Sequence, residues 1–439
     1  MSEIVEIEKI LSKYSYADVR IERSKDVLVK IQDNEIKVSS GESKGVSVRV
    51  LEKGSWGFAA SNRIESISEL LKQAAKLAAL EKGDIKLKTA SPARRKITKA
   101  IQIVHPDEQV KHLLDAGKEM SGKGIVSRRI NCTDSIMETE FYNSEGAEII
   151  QKTGYSYVSC ISVAKDGIDI LRGVETCGSR KGFGSLELHK TARVSREKAQ
   201  RLLGAPVAPK GRFTVVLDPE MTGVFAHEAV GHASEADSIV DRESILTGRI
   251  GKKIGNELVT IADDPTADDF GTYEFDDEGV KARKTTIIEG GVLRNFINSR
   301  ETAFKTKSAP NGHARAGSYD SLPIVRMSNT YFSRGKHSME DVFDVKSGIY
   351  LKGMKGGSVD IFSGGFMFKA EEAYEIKNGE YGKVLRDATL SGNILSTLRN
   401  VSAVGKDFGT SPGICGKMGQ EAPVSDGGPH IKVEDMMVG

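Results

Sequence analysis

The sequence predicts an α+β protein of two domains: an N-terminal mixed α/β domain over 1–203, with antiparallel strands and flanking helices, and a C-terminal, mostly antiparallel β domain over 213–439. Three observations carry this expectation. The chain of 439 residues exceeds what one typical core holds. Period-two apolar runs crowd the first half, with helical-period runs between them. Beyond residue 255 short strand-like runs alternate with glycine-rich turns, a pattern of antiparallel sheet and not of a wound parallel one.

Taken in order, DVLVKIQDNEIKVSS places Val27, Val29 and Ile31 on one face, and GVSVRVLEKG does the same with Val46, Val48 and Val50. Both read as half-buried antiparallel strands. In IESISELLKQAAKLAALEKG the period becomes helical, with Ile67, Leu70, Leu71, Ala74 and Ala78 on one stripe and Gly83 placed to end it. Strands return over 130–175 with turn signals at Asn143-Ser144-Glu145-Gly146 and Lys165-Asp166-Gly167. A charged helix near 189–203 closes this half. GAPVAPKGR, 204–212, interrupts the periodicity with two prolines and two glycines and is the expected boundary. The strand FTVVLD follows, and Asp218-Pro219 then supplies an N-cap and a proline at the first helical position. The helix that starts there contains HEAVGH, 227–232.

Composition narrows the function classes. Lys plus Arg come to 63 and Asp plus Glu to 61, interspersed, so no direct nucleic-acid contact or anionic membrane is indicated. Cys132, Cys160, Cys177 and Cys415 form no C-x-x-C pair, and no apolar window has the length of a membrane span. The expectation is a cytoplasmic protein with reduced thiols and no membrane partner. Gly413-Ile414-Cys415-Gly416-Lys417 lacks phosphate-loop spacing, and no G-x-S-x-G elbow occurs.

The chemistry concentrates in HEAVGH. Two imidazoles and a glutamate are what a hydrolytic zinc site needs: His227 and His232 to hold the metal, Glu228 to take a proton from its water. The histidines, however, are five apart. In a regular α-helix that separation turns the side chains about 140° away from each other. One residue inserted into a four-residue spacing is how a π-bulge arises, and Gly231 lowers helix propensity beside His232. A π-turn or kink across Ala229–His232 is therefore expected. A catalytic zinc takes a third protein ligand, for which Glu235, Asp237, His313, His430 and the cysteines are candidates. Glu235 and Asp237 are also candidates for orienting the imidazoles, and His313, Arg315 and Arg326 for stabilising an oxyanion.

HEAVGHASEAD, FGTYEFDDEGV, RMSNTYF, GGSVDIFSGGFMFKAEEAYEIKNGE, LSGNILSTL and GICGKMGQEAPVSDGGP, in that order from 213 to the C-terminus, resemble the TldD/PmbA family of metalloproteases, also described as modulators of DNA gyrase. YADVRIERS and GVSVRVLEKGSWGFAAS extend the resemblance, less specifically, to the first half. Because His227, Glu228 and His232 are present, the chain is similar to the catalytic TldD-type subunit and not to the TldE/PmbA type that lacks the metal motif. The resemblance implies Zn2+ held by His227, His232 and Cys415, with Glu228 as general base. It further implies hydrolysis of unfolded or extended peptides by a homodimer, or by a heterodimer with a motif-less TldE/PmbA-type paralogue. A metal-dependent amidohydrolase on a non-peptide substrate and a regulatory or binding subunit are the alternatives.

Overall fold

The computed structural model describes residues 3–99 and 101–439. Its first half is built on a seven-stranded sheet in which Ser55–Ser61, Glu35–Glu52, Tyr16–Gln32, Ile125–Asn143 and Glu148–Asp166 lie side by side. Arg94–Thr98, parallel, and Asp169–Ser179, antiparallel, share the outer edge of Glu148–Asp166. Strand alternation decides what each face does. In Tyr16–Gln32 the odd positions Ala17, Val19, Ile21, Val27, Val29 and Ile31 are buried among apolar neighbours. The helices Ile67–Ala79, Pro106–Gly117 and Leu188–Arg201 contribute buried residues to that side of the sheet or pack on its strands. Ile67–Ala79 buries Leu70, Leu71, Ala74 and Ala78 and stops before Gly83, whose N–H instead donates to the Lys53 carbonyl at 3.2 Å.

The even positions of the same strand carry Asp18, Arg20 and Glu22, and these are buried too. The reading of half-buried strands holds for Val27–Ile31 but fails for GVSVRVLEKG, where Ser47 and Arg49 are buried as well, because the second half of the chain covers this polar face. Arg20 reaches Asp277 at 2.8 Å, Arg49 reaches Glu278 at 3.1 Å, and Arg300 reaches Glu145 at 2.8 Å. Lys198 bonds Glu175 at 2.8 Å and also Glu371, while Arg201 meets Glu372 at 2.6 Å. Charged groups removed from water in this way are tolerable only because each has found a partner.

The second half holds two larger sheets. One runs Val292–Leu293, Thr285–Glu289, Ile261–Asp263, Asn329–Phe332, Gln420–Gly428, Gly409–Lys417, and ends on that last strand. The other orders Ser347–Asp360, Gly211–Leu217, Ile431–Val438, Thr389–Asn393 and Gly365–Lys377, and the pairing of Ser347–Asp360 with Gly365–Lys377 closes it on itself. Most pairings are antiparallel as expected. Two are parallel, Gly211–Leu217 with Ser347–Asp360 and Asn329–Phe332 with Gln420–Gly428, since long connections separate those strands in sequence. Among the described residues no helix is long and apolar enough to cross a membrane.

Between the sheets lies the helix Pro219–Val224. The Asp218 carboxylate accepts from the Met221 N–H at 2.9 Å and the Gly353 N–H at 3.2 Å, so one side chain starts the helix and pins it to a strand. Gly223 lets the helix lie against the strand Gln420–Gly428: a Cβ there would meet the Gly427 nitrogen at 2.4 Å. Burial, reinforced by the negative charge of Glu220, pushes the Asp218 carboxyl up to about 7. A raised carboxyl contributes stability that is present below its unfolded pKa and lost as pH rises through the folded value. Asp218→Ala is expected to cost about 1–2 kcal/mol in urea unfolding. Asp218→Asn, which keeps an acceptor without the charge, should lose less stability than the wild type between about pH 4 and pH 7.

Candidate metal centre

The five-residue spacing is resolved by backbone geometry. The helix continues from Val224 into a π-helical segment, Phe225–Gly231, and then into a 3₁₀ turn, His232–Ser234. The His232 N–H donates to the His227 carbonyl five residues back, the hydrogen bond that defines a π-turn. The rings of His227 and His232 consequently stand 5.3 Å apart, centre to centre, and perpendicular. The distortion was expected over Ala229–His232; it begins earlier, at Phe225. A widened turn must satisfy its N–H and C=O groups along its whole length, so it cannot be confined to the residues next to the glycine. Gly231 is nonetheless required, since a Cβ there would lie 2.0 Å from the Met327 sulfur.

The third donor comes from the far end of the chain. Cys415 lies in the strand Gly409–Lys417, and its Sγ is 3.7 Å from His232 Nε2. One donor atom from each of His227, His232 and Cys415 falls within 4.8 Å of the others. The Glu228 carboxylate, 40% exposed, sits 3.8 Å from His232 Nε2. Burial would raise the Cys415 thiol, but hydrogen bonds from His227 and His232 outweigh it and pull it down to about 5. For His232, burial opposes the charge of Glu235 and the bond to Cys415, which together lift the imidazole to about 10. Both imidazoles are thus shifted towards the charged form and the thiol towards the thiolate, the form in which sulfur binds a metal.

A layer of charge fixes this arrangement. His232 Nδ1 donates to Glu235 Oε2 at 3.0 Å, which leaves Nε2 to face Cys415. Glu235 is buried and pairs with Lys417 Nζ at 3.1 Å; Lys417 also bonds Asp237 at 2.6 Å and the Val325 carbonyl at 3.0 Å. Burial works against the Glu235 carboxylate, but His232 and Lys417 hold its pKa below the ordinary value. Arg326 donates to the carbonyls of Cys415 and Gln420, gripping both strands of the hairpin that bears the thiol. Among the described residues, His227 Nδ1 is buried without a hydrogen-bond partner. Two imidazoles and a thiolate, one ring nitrogen left unpaired, fit a borderline-soft ion such as zinc and do not fit magnesium or calcium.

The other candidates fall outside this centre. Both ring nitrogens of the fully buried His313 are taken, by Asn311 and Asp263 at 2.9 Å each. His430 bonds Asp407 at 2.7 Å and Tyr350 at 3.0 Å. Asp237 is paired with Lys417, and Arg315 donates to the carbonyls of Met327 and Pro423. Sequence reasoning missed Lys417 and Asp426. Lys417 stands two residues after Cys415 and therefore on the same strand face, a signal the alternation offered. Asp426 lies on the partner strand near His227, and burial, with Glu220 and Glu228 adding to it, lifts its carboxyl to about 7 against the pull of His227.

Profiles of the PmbA/TldA metallopeptidases match three parts of the chain: domain 1 over 17–78, the central domain over 99–203 and the C-terminal domain over 210–439. A metalloprotease of Methanothermobacter thermautotrophicus is 42% identical over 98% of this chain and 96% of its own. The zinc metalloprotease TldD homolog of Saccharolobus solfataricus is 34% identical over 97% and 96%. Among solved structures, TldE from Thermococcus kodakarensis superposes with a TM-score of 0.78 at 22% identity, covering all of both chains, which shows a shared fold. The chain belongs to the PmbA/TldA metallopeptidase family.

Gly231→Ala is expected to destabilise the protein by about 1–3 kcal/mol, the range for overpacking a filled core. In urea titrations the double variant with Met327→Ala should cost less than the two single changes added together, because the clash and the space made for it coincide.

Proposed function

We propose that this member of the family is a zinc-dependent peptidase acting on unfolded or extended peptides. The observation that carries the reading is the convergence of His227, His232 and Cys415 within 4.8 Å, with the Glu228 carboxylate beside them. His227, His232 and Cys415 are the ligands in this reading and Glu228 is the general base. When bound, the ion supplies a Lewis acid that polarises a carbonyl and brings the pKa of a water towards neutrality. Glu228, the most exposed of the four, takes the proton from the attacking water and delivers it to the leaving amine. Glu235, locked by Lys417, keeps His232 in the tautomer and orientation that present Nε2.

The strand that bears Cys415 also suggests how substrate lies. Gly409–Lys417 is the terminal strand of its sheet, paired on one side by Gln420–Gly428. An extended peptide added along its other edge would be held by backbone hydrogen bonds, with little demand on side-chain sequence. Folded proteins present few such segments, so the reading favours unfolded chains. Assembly as a homodimer or with a motif-less TldE/PmbA-type paralogue belongs to the same reading, for which the shared fold with TldE makes a paralogous partner of like shape available, and the four free cysteines suit a reducing cytoplasm.

Metal analysis of the purified protein should give about one zinc per chain, lost on Cys415→Ala. Glu228→Gln should retain zinc while cleavage of a denatured protein falls by about 10²–10⁴-fold. Cleavage that survives both Glu228→Gln and chelation would overturn the reading. Glu235→Gln should weaken zinc binding by about 10–100-fold, measured by competition with a chromogenic chelator.

A further inference from the structure

A cavity of about 330 Å³ lies between the two halves of the molecule. Its floor is the polar face of the N-terminal sheet, where Ser135, Thr139, Gln151 and Thr153 occupy positions that an ordinary domain contact would fill with apolar groups. One wall is Glu421–Pro423, the segment paired residue for residue with Ile414–Gly416 on the thiol-bearing strand. The cavity therefore adjoins the candidate metal centre without sharing its donors.

Two arginines face it, and among the described residues no carboxylate lies within ion-pair distance of either; Asp277 and Asp263 act on Arg315 only from farther away. Arg180 donates Nε to the Phe270 carbonyl at 2.6 Å and Nη1 to the Gly154 carbonyl at 3.4 Å, and lies 5.7 Å from the ring centres of both Tyr155 and Phe270. Arg315 donates Nη1 to the Met327 carbonyl at 2.7 Å and Nη2 to the Pro423 carbonyl at 3.0 Å, with its guanidinium 4.9 Å above Tyr273. All of these partners are neutral. Burial and the charge of Arg315 pull Arg180 down to about 9, with only Tyr155 opposing them. A guanidinium in such surroundings gains most from an anion. The acids of the lining do not meet this need: Glu22 and Asp277 are engaged by Arg20, and Asp276 accepts backbone N–H groups of Glu278, Val280 and Ala314. Asp26 and Glu421 also line the cavity unpaired with any base among the described residues. They repel a polyanion, so the pocket suits a ligand with one negative group and N–H donors alongside it.

We propose that this cavity binds a single peptide carboxylate, terminal or side-chain, between Arg180 and Arg315. The inference takes its ligand class from the peptidase reading, and it gives the enzyme an anchor for a charged group next to the strand along which substrate would lie. Its test does not depend on cleavage. Titration calorimetry on the full-length holoprotein compares N-acetyl-Ala-Ala, its C-terminal amide and N-acetyl-Ala-Asp amide. The free acid is expected to bind at least about tenfold more tightly than the uncharged amide, as expected for a charge-assisted contact. Arg180→Met should erase that preference and leave amide binding unchanged, while Arg180→Lys retains part of it. Tight binding of the Asp amide would assign the site to side-chain carboxylates, and weak binding would assign it to chain ends. Equal binding of acid and amide by the wild type overturns the inference, as does an acid preference that persists in Arg180→Met, which would place the carboxylate at the metal. The wild-type comparison and the lysine variant stand even if Arg180→Met folds poorly. Zinc-dependent cleavage that continues under either negative result would leave the peptidase reading intact.

Discussion

The hydrogen bond from the His232 N–H to the His227 carbonyl is the constraint around which the centre is organised. A residue more than the usual spacing can be accommodated only by widening the helix, and a widened turn is poor helix unless its surroundings hold it. Here Phe225, Ala226, Ala229 and Val230 are all buried, and Gly231 lies where nothing larger clears Met327. The distortion is thus stabilised by packing on every side except that of Glu228. Within Phe225–Gly231 the one partly exposed residue is Glu228, so its carboxylate is the group of the turn open to solvent.

A second requirement follows from the first. The His232 ring, brought beside His227 by the widened turn, still rotates unless its far nitrogen is tied, and burial makes any charge used for that purpose expensive. The chain meets this with a short series of partners, His232 to Glu235 to Lys417 to Asp237, in which each charge neutralises the next. Lys417 is two residues from Cys415, so the same ammonium that stabilises Glu235 also registers the thiol strand against the helix. Orientation of the imidazole and placement of the sulfur are one interaction and not two.

Much of this could be read in the amino-acid order, and the limits have physical causes. Alternation in Tyr16–Gln32 identified Val27, Val29 and Ile31 as core because one face of a strand must meet the helices. It could not say that Asp18, Arg20 and Glu22 would be buried as well, since polar residues facing solvent and polar residues facing a complementary charged surface have the same pattern. In HEAVGH the spacing demanded a π-turn, but its extent depends on which neighbours close around it. Whether Cys415 approaches the histidines was beyond local pattern, because 183 residues separate it from His232; there the family resemblance supplied what spacing could not. His313, scarce and attractive as a ligand on paper, is consumed by Asp263 and Asn311 inside the core.

The location of the polar interface links architecture to chemistry. An apolar seam between the halves would be cheaper to bury than Arg20, Arg49, Lys198 and their partners, whose desolvation offsets most of what their pairing contributes. It would also close completely, as dry cores do. A seam of paired charges and small hydroxyls packs less perfectly and keeps water-accessible volume, and that volume lies against the hairpin bearing Cys415. The donors themselves come only from the second half, yet their hairpin rests on the strand Asp169–Ser179 of the first, where Gly178 lies against Pro412 and Phe270. Binding of a metal to His227, His232 and Cys415 would accordingly draw on the integrity of both halves, and the free energy of that binding would be returned as stability of the contact between them.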